Sequence, residues 1–160
     1  LLTGCSGNGV TPPLPNEEVP TEILKLIEEY IGYKQVVRWP DGIVTIYDET
    51  NYEGTQTILN QINSVIDGPV EFQLSQDSNS QIKVEFKEIG GTVFAGIDSN
   101  NNEITEVFLY INPATANEAI YEYAFLIAAG ISVLKVEEGI TQEIKTVLYW
   151  LYKLEPGHPL

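Results

Sequence analysis

Asn112-Pro113-Ala114-Thr115-Ala116-Asn117-Glu118-Ala119-Ile120-Tyr121-Glu122-Tyr123-Ala124-Phe125-Leu126-Ile127-Ala128-Ala129-Gly130 is the stretch on which the fold turns. Thr115 and Glu118 stand at capping-box spacing. Asn112-Pro113 offers an earlier start, with proline at the first helical position. Gly130 is placed to end the helix in a left-handed cap. Ala119, Ile120, Tyr123, Ala124, Ile127 and Ile131 mark one apolar face at helical spacing, and Tyr121, Phe125 and Ala128 mark a second. Only Asn117, Glu118 and Glu122 are polar. A helix apolar nearly all round is expected to be buried. It is too short, and too interrupted by glutamate, to span a bilayer.

Working outward, the sequence predicts a small sheet with helices before this stretch and one closing helix after it. Thr21 can cap a first helix with Ile23, Leu24, Ile27, Tyr30 and Ile31 as its stripe. Arg38-Trp39-Pro40-Asp41-Gly42 reads as a turn. Ile43 to Tyr47 reads as a buried strand. Thr50 and Glu53 form a second capping box, opening a helix with Ile58, Leu59, Ile62, Val65 and Ile66, which Asp67-Gly68-Pro69 stops. Val70 to Leu74 alternates as a strand. Gln81 to Phe86 alternates too, with Ile82, Val84 and Phe86 on one face, and Gly90-Gly91 breaks it. Thr92 to Ile97 and Ile104 to Ile111 form a hairpin around residues 98–102. After a link through Glu137-Glu138-Gly139, Thr141 caps a last helix with Ile144, Val147, Leu148, Leu151 and Tyr152 inward. Residues 155–159 read as an exposed end. The expected fold is α+β: a small twisted mixed sheet of four to five strands packed on helices, with a central buried helix and a C-terminal helix. Residues 1–20 read as a linker and 21–160 as a single domain.

The chain of 160 residues carries 23 acidic and 8 basic side chains, for a net charge of −15. Such a surface repels phosphate backbones and lacks a polybasic membrane patch, so no nucleic-acid partner is expected. One cysteine excludes an intrachain disulfide, and one histidine, His158, excludes a His-rich metal site within one chain. No cofactor and no metal are expected.

Leu2-Thr3-Gly4-Cys5 has the form of a bacterial lipobox. Leu1 and Leu2 read as the tail of an apolar signal segment. Ser6-Gly7-Asn8-Gly9 and Pro12-Pro13-Leu14-Pro15 follow as a flexible, then stiff, spacer. The resemblance to lipoprotein signal peptides implies that Cys5 is lipidated after cleavage. The membrane would then be a partner through the anchor, and the location the extracytoplasmic side of a bacterial cell envelope.

The layout of strand, helix, further strands, central helix and final helix resembles the minimal zincin domain of the metzincin-like, matrixin-related proteases. Three local echoes carry it: Val37-Arg38-Trp39-Pro40 before the first strand, Phe108-Leu109-Tyr110-Ile111-Asn112 as the strand bordering a cleft, and Gly139-Ile140-Thr141 through Leu151-Tyr152 with Pro156-Gly157 as the closing helix. The family's H-E-x-x-H places two imidazoles one turn apart to hold zinc. Laid on this chain, it falls on Tyr121-Glu122-Tyr123-Ala124-Phe125, and only Glu122 survives. The family glycine falls on Ala128, the third ligand falls on Ile131, and no methionine exists for the methionine turn. The resemblance therefore implies a zincin-like pseudoenzyme, leaning against enzymatic activity. Tyr121 and Phe125 would fill the vacated metal space, and a peptide, protein or cell-envelope ligand would bind along an edge strand at Ile104–Ile111.

Two other readings stand beside it. Glu118 and Glu122, one turn apart, could serve a non-metal hydrolase, although glycosidase carboxylates usually come from separate elements. A structural envelope lipoprotein without a small ligand is the other. Asp98-Ser99-Asn100-Asn101-Asn102-Glu103 partly echoes a calcium loop but lacks its glycine, so a hairpin turn is expected. Tyr149, Trp150 and Tyr152 read as core packing, with part of the cluster a surface for carbohydrate or a partner.

Overall fold

A computed structural model describes residues 18–88, 93–132 and 139–160, with Val93 and Phe94 described in backbone only. Cys5, most of the 1–20 linker, Gly90-Gly91 and Glu137-Glu138 lie outside the described residues. The elements run α1 (Thr21–Ile31), β1 (Gly42–Asp48), α2 (Thr55–Ile66), β2 (Val70–Leu74), β3 (Ile82–Phe86), β4 (Val93–Asp98), β5 (Glu103–Ile111), α3 (Glu118–Ala128) and α4 (Gln142–Leu151). The fold is α+β: one five-stranded mixed sheet in the order β2-β1-β3-β5-β4, packed on helices. Only β4, paired with β5, runs antiparallel.

Parallel neighbours usually need a long crossover. Here the short loop 75–81 carries the chain from β2 across β1 to β3. Stagger permits it: Ile46 of β1 is level both with Leu74, where β2 stops, and with Ile82, where β3 starts. Gln81 fixes the crossing, its Oε1 accepting from the Thr45 N–H at 3.0 Å.

Alternation buries one face of the sheet: Val44, Ile46, Val70, Phe72, Ile82, Val84, Val107, Leu109 and Ile111. Ile104 and Val107 both face inward despite an odd spacing, because a register shift opposite Gly96 and Ile97 leaves Thr105 as the extra residue of a bulge. The other face carries Ile43, Lys83 and Phe108, with the Lys83 ammonium 5.5 Å from the Phe108 ring centre. β1 is thus half-buried rather than buried throughout. Ile43 is 57% exposed because helices cover only one side.

α4 follows the sequence reading. Thr141 accepts from Ile144 N–H, and Ile144, Val147, Leu148, Leu151 and Tyr152 are all buried. α1 is entered from Pro20 without a side-chain cap, so Thr21 is its first residue rather than its cap. Thr50 and Glu53 do not open α2, which starts at Thr55 after Gly54, because Asp48 captures Thr50. α3 starts at Glu118, and its cap is Asn117, whose Oδ1 accepts from Ile120 N–H. Neither Thr115 nor Asn112 caps it: Asn112 is tied into the preceding turn through Ala114 N–H and the Glu88 carbonyl.

The strand-edge expectation is corrected. Ile104–Ile111 is not an edge, because β5 lies between β3 and β4, and the edge beside it is β4. The C-terminal segment is exposed at Glu155, His158 and Pro159, as expected, yet its backbone is paired. Val36 N–H donates to the His158 carbonyl, Gly157 N–H to the Val36 carbonyl, and Leu160 N–H to the Lys34 carbonyl. Its backbone is docked while the His158 side chain stays exposed.

Candidate functional site

The two ends of α3 define the chemistry. At the C-terminal end every orphan carbonyl finds a donor. Gly130, at φ +106°, gives the left-handed turn: its N–H donates to the Ile127 carbonyl and Ile131 N–H to that of Leu126. That is the Schellman pattern. Ala129 N–H serves the Phe125 carbonyl. The Trp39 indole N–H donates to the Ala128 carbonyl at 2.7 Å, and the Tyr152 hydroxyl to the Ala129 carbonyl at 2.8 Å. Arg38, 2% exposed, fills the space behind them. It donates to the carbonyls of Leu154 and Trp39 and to Asp41, and lies 5.6 Å from the Tyr152 ring centre. Burial pushes the Tyr152 hydroxyl well above its usual range, with the nearby Arg38 charge opposing. Arg38-Trp39, expected in a turn, is therefore a buried hub.

At the N-terminal end Tyr121 is buried but sits at the wall of a cleft. Its hydroxyl donates to Thr50 Oγ1 at 2.6 Å. Thr50 Oγ1 in turn donates to Asp48 Oδ1 at 2.5 Å, while Thr55 Oγ1 donates to Asp48 Oδ2 at 2.7 Å. The Tyr121 ring stacks on Tyr52, centroids 4.1 Å apart and planes 10° apart. Gly54 makes room for the Tyr52 ring, since a Cβ there would collide with it. Burial raises the Tyr121 pKa above the ordinary value, the Thr50 bond opposes this, and the nearby Asp48 charge adds to the rise. A cleft of about 360 Å³ opens here, lined by Thr50, Asn51, Tyr52, Glu53, Phe86 and Tyr121. Phe86 is on the core-facing side of β3, but it lies past the helices and is 46% exposed.

The faces of α3 differ from expectation. Tyr121, Ala124, Phe125, Leu126 and Ala128 are buried; Ile120, Tyr123 and Ile127 are half-buried and Ala119 is exposed. The helix is not buried all round. Tyr121 and Phe125 come together, with ring centroids 6.4 Å apart. Glu122 lies elsewhere, in a polar groove with Gln61, Ser64 and Lys145. Glu118 is exposed and does not line that groove, so the two glutamates are not gathered into one pocket. A structural zinc needs four donors and a catalytic zinc three. Phe125 and Ile131 supply none, and the Tyr121 hydroxyl is engaged with Thr50, so these residues do not fit the metal. Among the described residues no three His, Cys, Asp or Glu side chains gather to hold one. At 98–103 Asp98 accepts from Asn100 N–H and Asn101 Nδ2, closing the hairpin turn. Tyr152 is core, and Tyr149 meets Trp150 edge to face at 5.5 Å, both half-buried.

Sequence reasoning singled out Tyr121, which lies at this cleft, and Phe125, which does not line it; it missed Asp48, Thr50, Tyr52 and Phe86. The one local signal was Asp48-Glu49-Thr50, an aspartate able to fold back on the backbone two residues on.

No protein-family model matches the chain, and no curated protein matches it. Among solved structures it is similar to that of myroilysin, with 12% identity and a TM-score of 0.40. The similarity covers 65% of this chain and 51% of that one, so it spans about half the length of that protein.

Proposed function

We propose that this chain is a lipid-anchored extracytoplasmic binding protein, a zincin-like pseudoenzyme that holds a peptide, protein or cell-envelope ligand without cleaving it. One observation carries the reading: the α3 positions laid on the metal-holding imidazoles are Tyr121 and Phe125, buried against each other and, through Tyr52, against the β1–α2 loop. Aromatic burial there is worth a few kcal/mol by area. The element order supports the layout, with all five strands before α3 and with α4 sealing the core. An extended peptide would add to β4, where Ala95 and Ile97 are exposed at the sheet edge. Cys5 supplies the membrane link.

Two measurements test it. Purified protein refolded with zinc is analysed for bound metal and assayed on a peptide library with and without chelator. Stoichiometric zinc with chelator-sensitive cleavage overturns the pseudoenzyme. Expression behind a complete signal peptide, with mass analysis of the membrane fraction, tests the anchor: loss of the acylated species in Cys5→Ala is expected, and an unacylated wild type removes the anchor from the reading.

A further inference from the structure

The cleft beside Tyr121 lies at a place the topology singles out. From β1 the chain passes through α2 to β2 on one side, then crosses to β3 on the other. The carboxyl ends of β1 and β3 thus flank a switch point, where open sheets of parallel strands leave a crevice for ligands. Thr50 to Glu53 follow the end of β1, and Phe86 ends β3.

The lining has one electrical character. The Tyr121 hydroxyl proton is used on Thr50 and the Thr50 proton on Asp48, so neither hydroxyl has a proton left to donate to a ligand. One Asn51 amide N–H is used on the Glu49 carbonyl. Glu53 is an exposed carboxylate, and Phe86 and Tyr52 add aromatic rings to the lining. Among the described residues no lysine or arginine lines the cleft, and the chain as a whole carries −15. Ring quadrupoles and a carboxylate in a negative field attract an organic cation and repel an anion.

We propose that this cleft binds an alkylammonium group. Its volume, about 360 Å³, suits a small head group rather than a folded partner. Asp48 orients the hydroxyls, Glu53 supplies the counter-charge and Phe86 an aromatic ring. The site is separate from the β4 edge, so it stands whether or not a peptide binds there.

The test is titration of isotope-labelled protein with choline, with butylammonium, and with the uncharged isostere of choline in which carbon replaces nitrogen. Saturable amide shifts at residues 50–53 and 86 with either cation, at least about fivefold tighter than with the isostere, are the expected result. Choline preferred over butylammonium would identify a quaternary head group, and the reverse a primary amine. Glu53→Gln, at an exposed position, should weaken the cation about fivefold and leave the isostere unchanged. Phe86→Leu should weaken the cation about threefold, again sparing the isostere. Equal affinity for cation and isostere, no saturable shift, or a Glu53→Gln variant that binds the cation as tightly as the wild type overturns the proposal.

Discussion

Each end of α3 buries a tyrosine, and the two are finished in opposite ways. Tyr152 closes the C-terminal end: its hydroxyl meets a backbone carbonyl, a guanidinium stands over its ring, and it is buried. Tyr121 borders the N-terminal end, where its hydroxyl meets a side-chain hydroxyl held by Asp48 and a cleft opens beside it. Burial lifts both pKa values, yet the nearby charge is Arg38 in one case and Asp48 in the other. The same residue type therefore serves closure at one end and borders an open cleft at the other. Which role it takes depends on whether its partner is backbone or a polar side chain next to open space.

The largest test of the closed end is Arg38→Met. It leaves the carbonyls of Leu154 and Trp39 without their donor in a dry site, so denaturant unfolding should show a loss of about 4 kcal/mol. Asp41, the exposed partner of Arg38, should matter far less, and Asp41→Asn should cost under about 1 kcal/mol. Equal losses in the two variants would move the weight from the buried carbonyls to the surface ion pair.

Next comes Tyr152→Phe, which strips the Ala129 carbonyl of its donor and should cost about 2 kcal/mol. It also carries a pH signature. The folded tyrosine holds its proton above the ordinary value of 10.0, at which the unfolded one releases it. The unfolded state then binds fewer protons, so stability falls as pH rises past 10.0, by up to about 1.4 kcal/mol per unit. Below that window the tyrosine contributes no slope. Unfolding curves at rising alkaline pH should show the fall in wild type and a shallower one in Tyr152→Phe. An unchanged slope would mean the hydroxyl is not sealed from water. Gly130→Ala is smaller, about 1 kcal/mol, because its contacts leave room for a methyl and only the positive φ is strained.

What the sequence told and withheld follows the same division. α4 was fully legible, since one capping threonine and one stripe agree and nothing competes. The start of α3 was not, because Asn112, Thr115 and Asn117 all qualify locally, and contacts to the Glu88 carbonyl decided among them. Thr50 read as a cap until Asp48, two residues before, captured it. The inner position of β5 could not be read at all, since strand order depends on a stagger between Ile46, Leu74 and Ile82 that no local pattern encodes. At the site, helical spacing marked Tyr121 only as part of an apolar face, and the motif resemblance singled it out. Thr50 and Tyr52, distant in sequence from Tyr121, were visible only in space.

The smallest expected effect is the sharpest probe of the open end. Tyr121→Phe keeps the ring stacked on Tyr52 and removes only the hydroxyl. Thr50 Oγ1 loses a donor but still gives its own proton to Asp48, and it lies half-buried, within reach of water. A water in the cleft can replace the lost bond at little cost, so the variant should lose under about 1 kcal/mol, below the loss in Tyr152→Phe. Parallel denaturant titrations of the two variants check this. A loss at Tyr121 equal to that at Tyr152 would mean that both ends are sealed alike. The cleft would then be packing rather than access, and the contrast between the two ends would collapse.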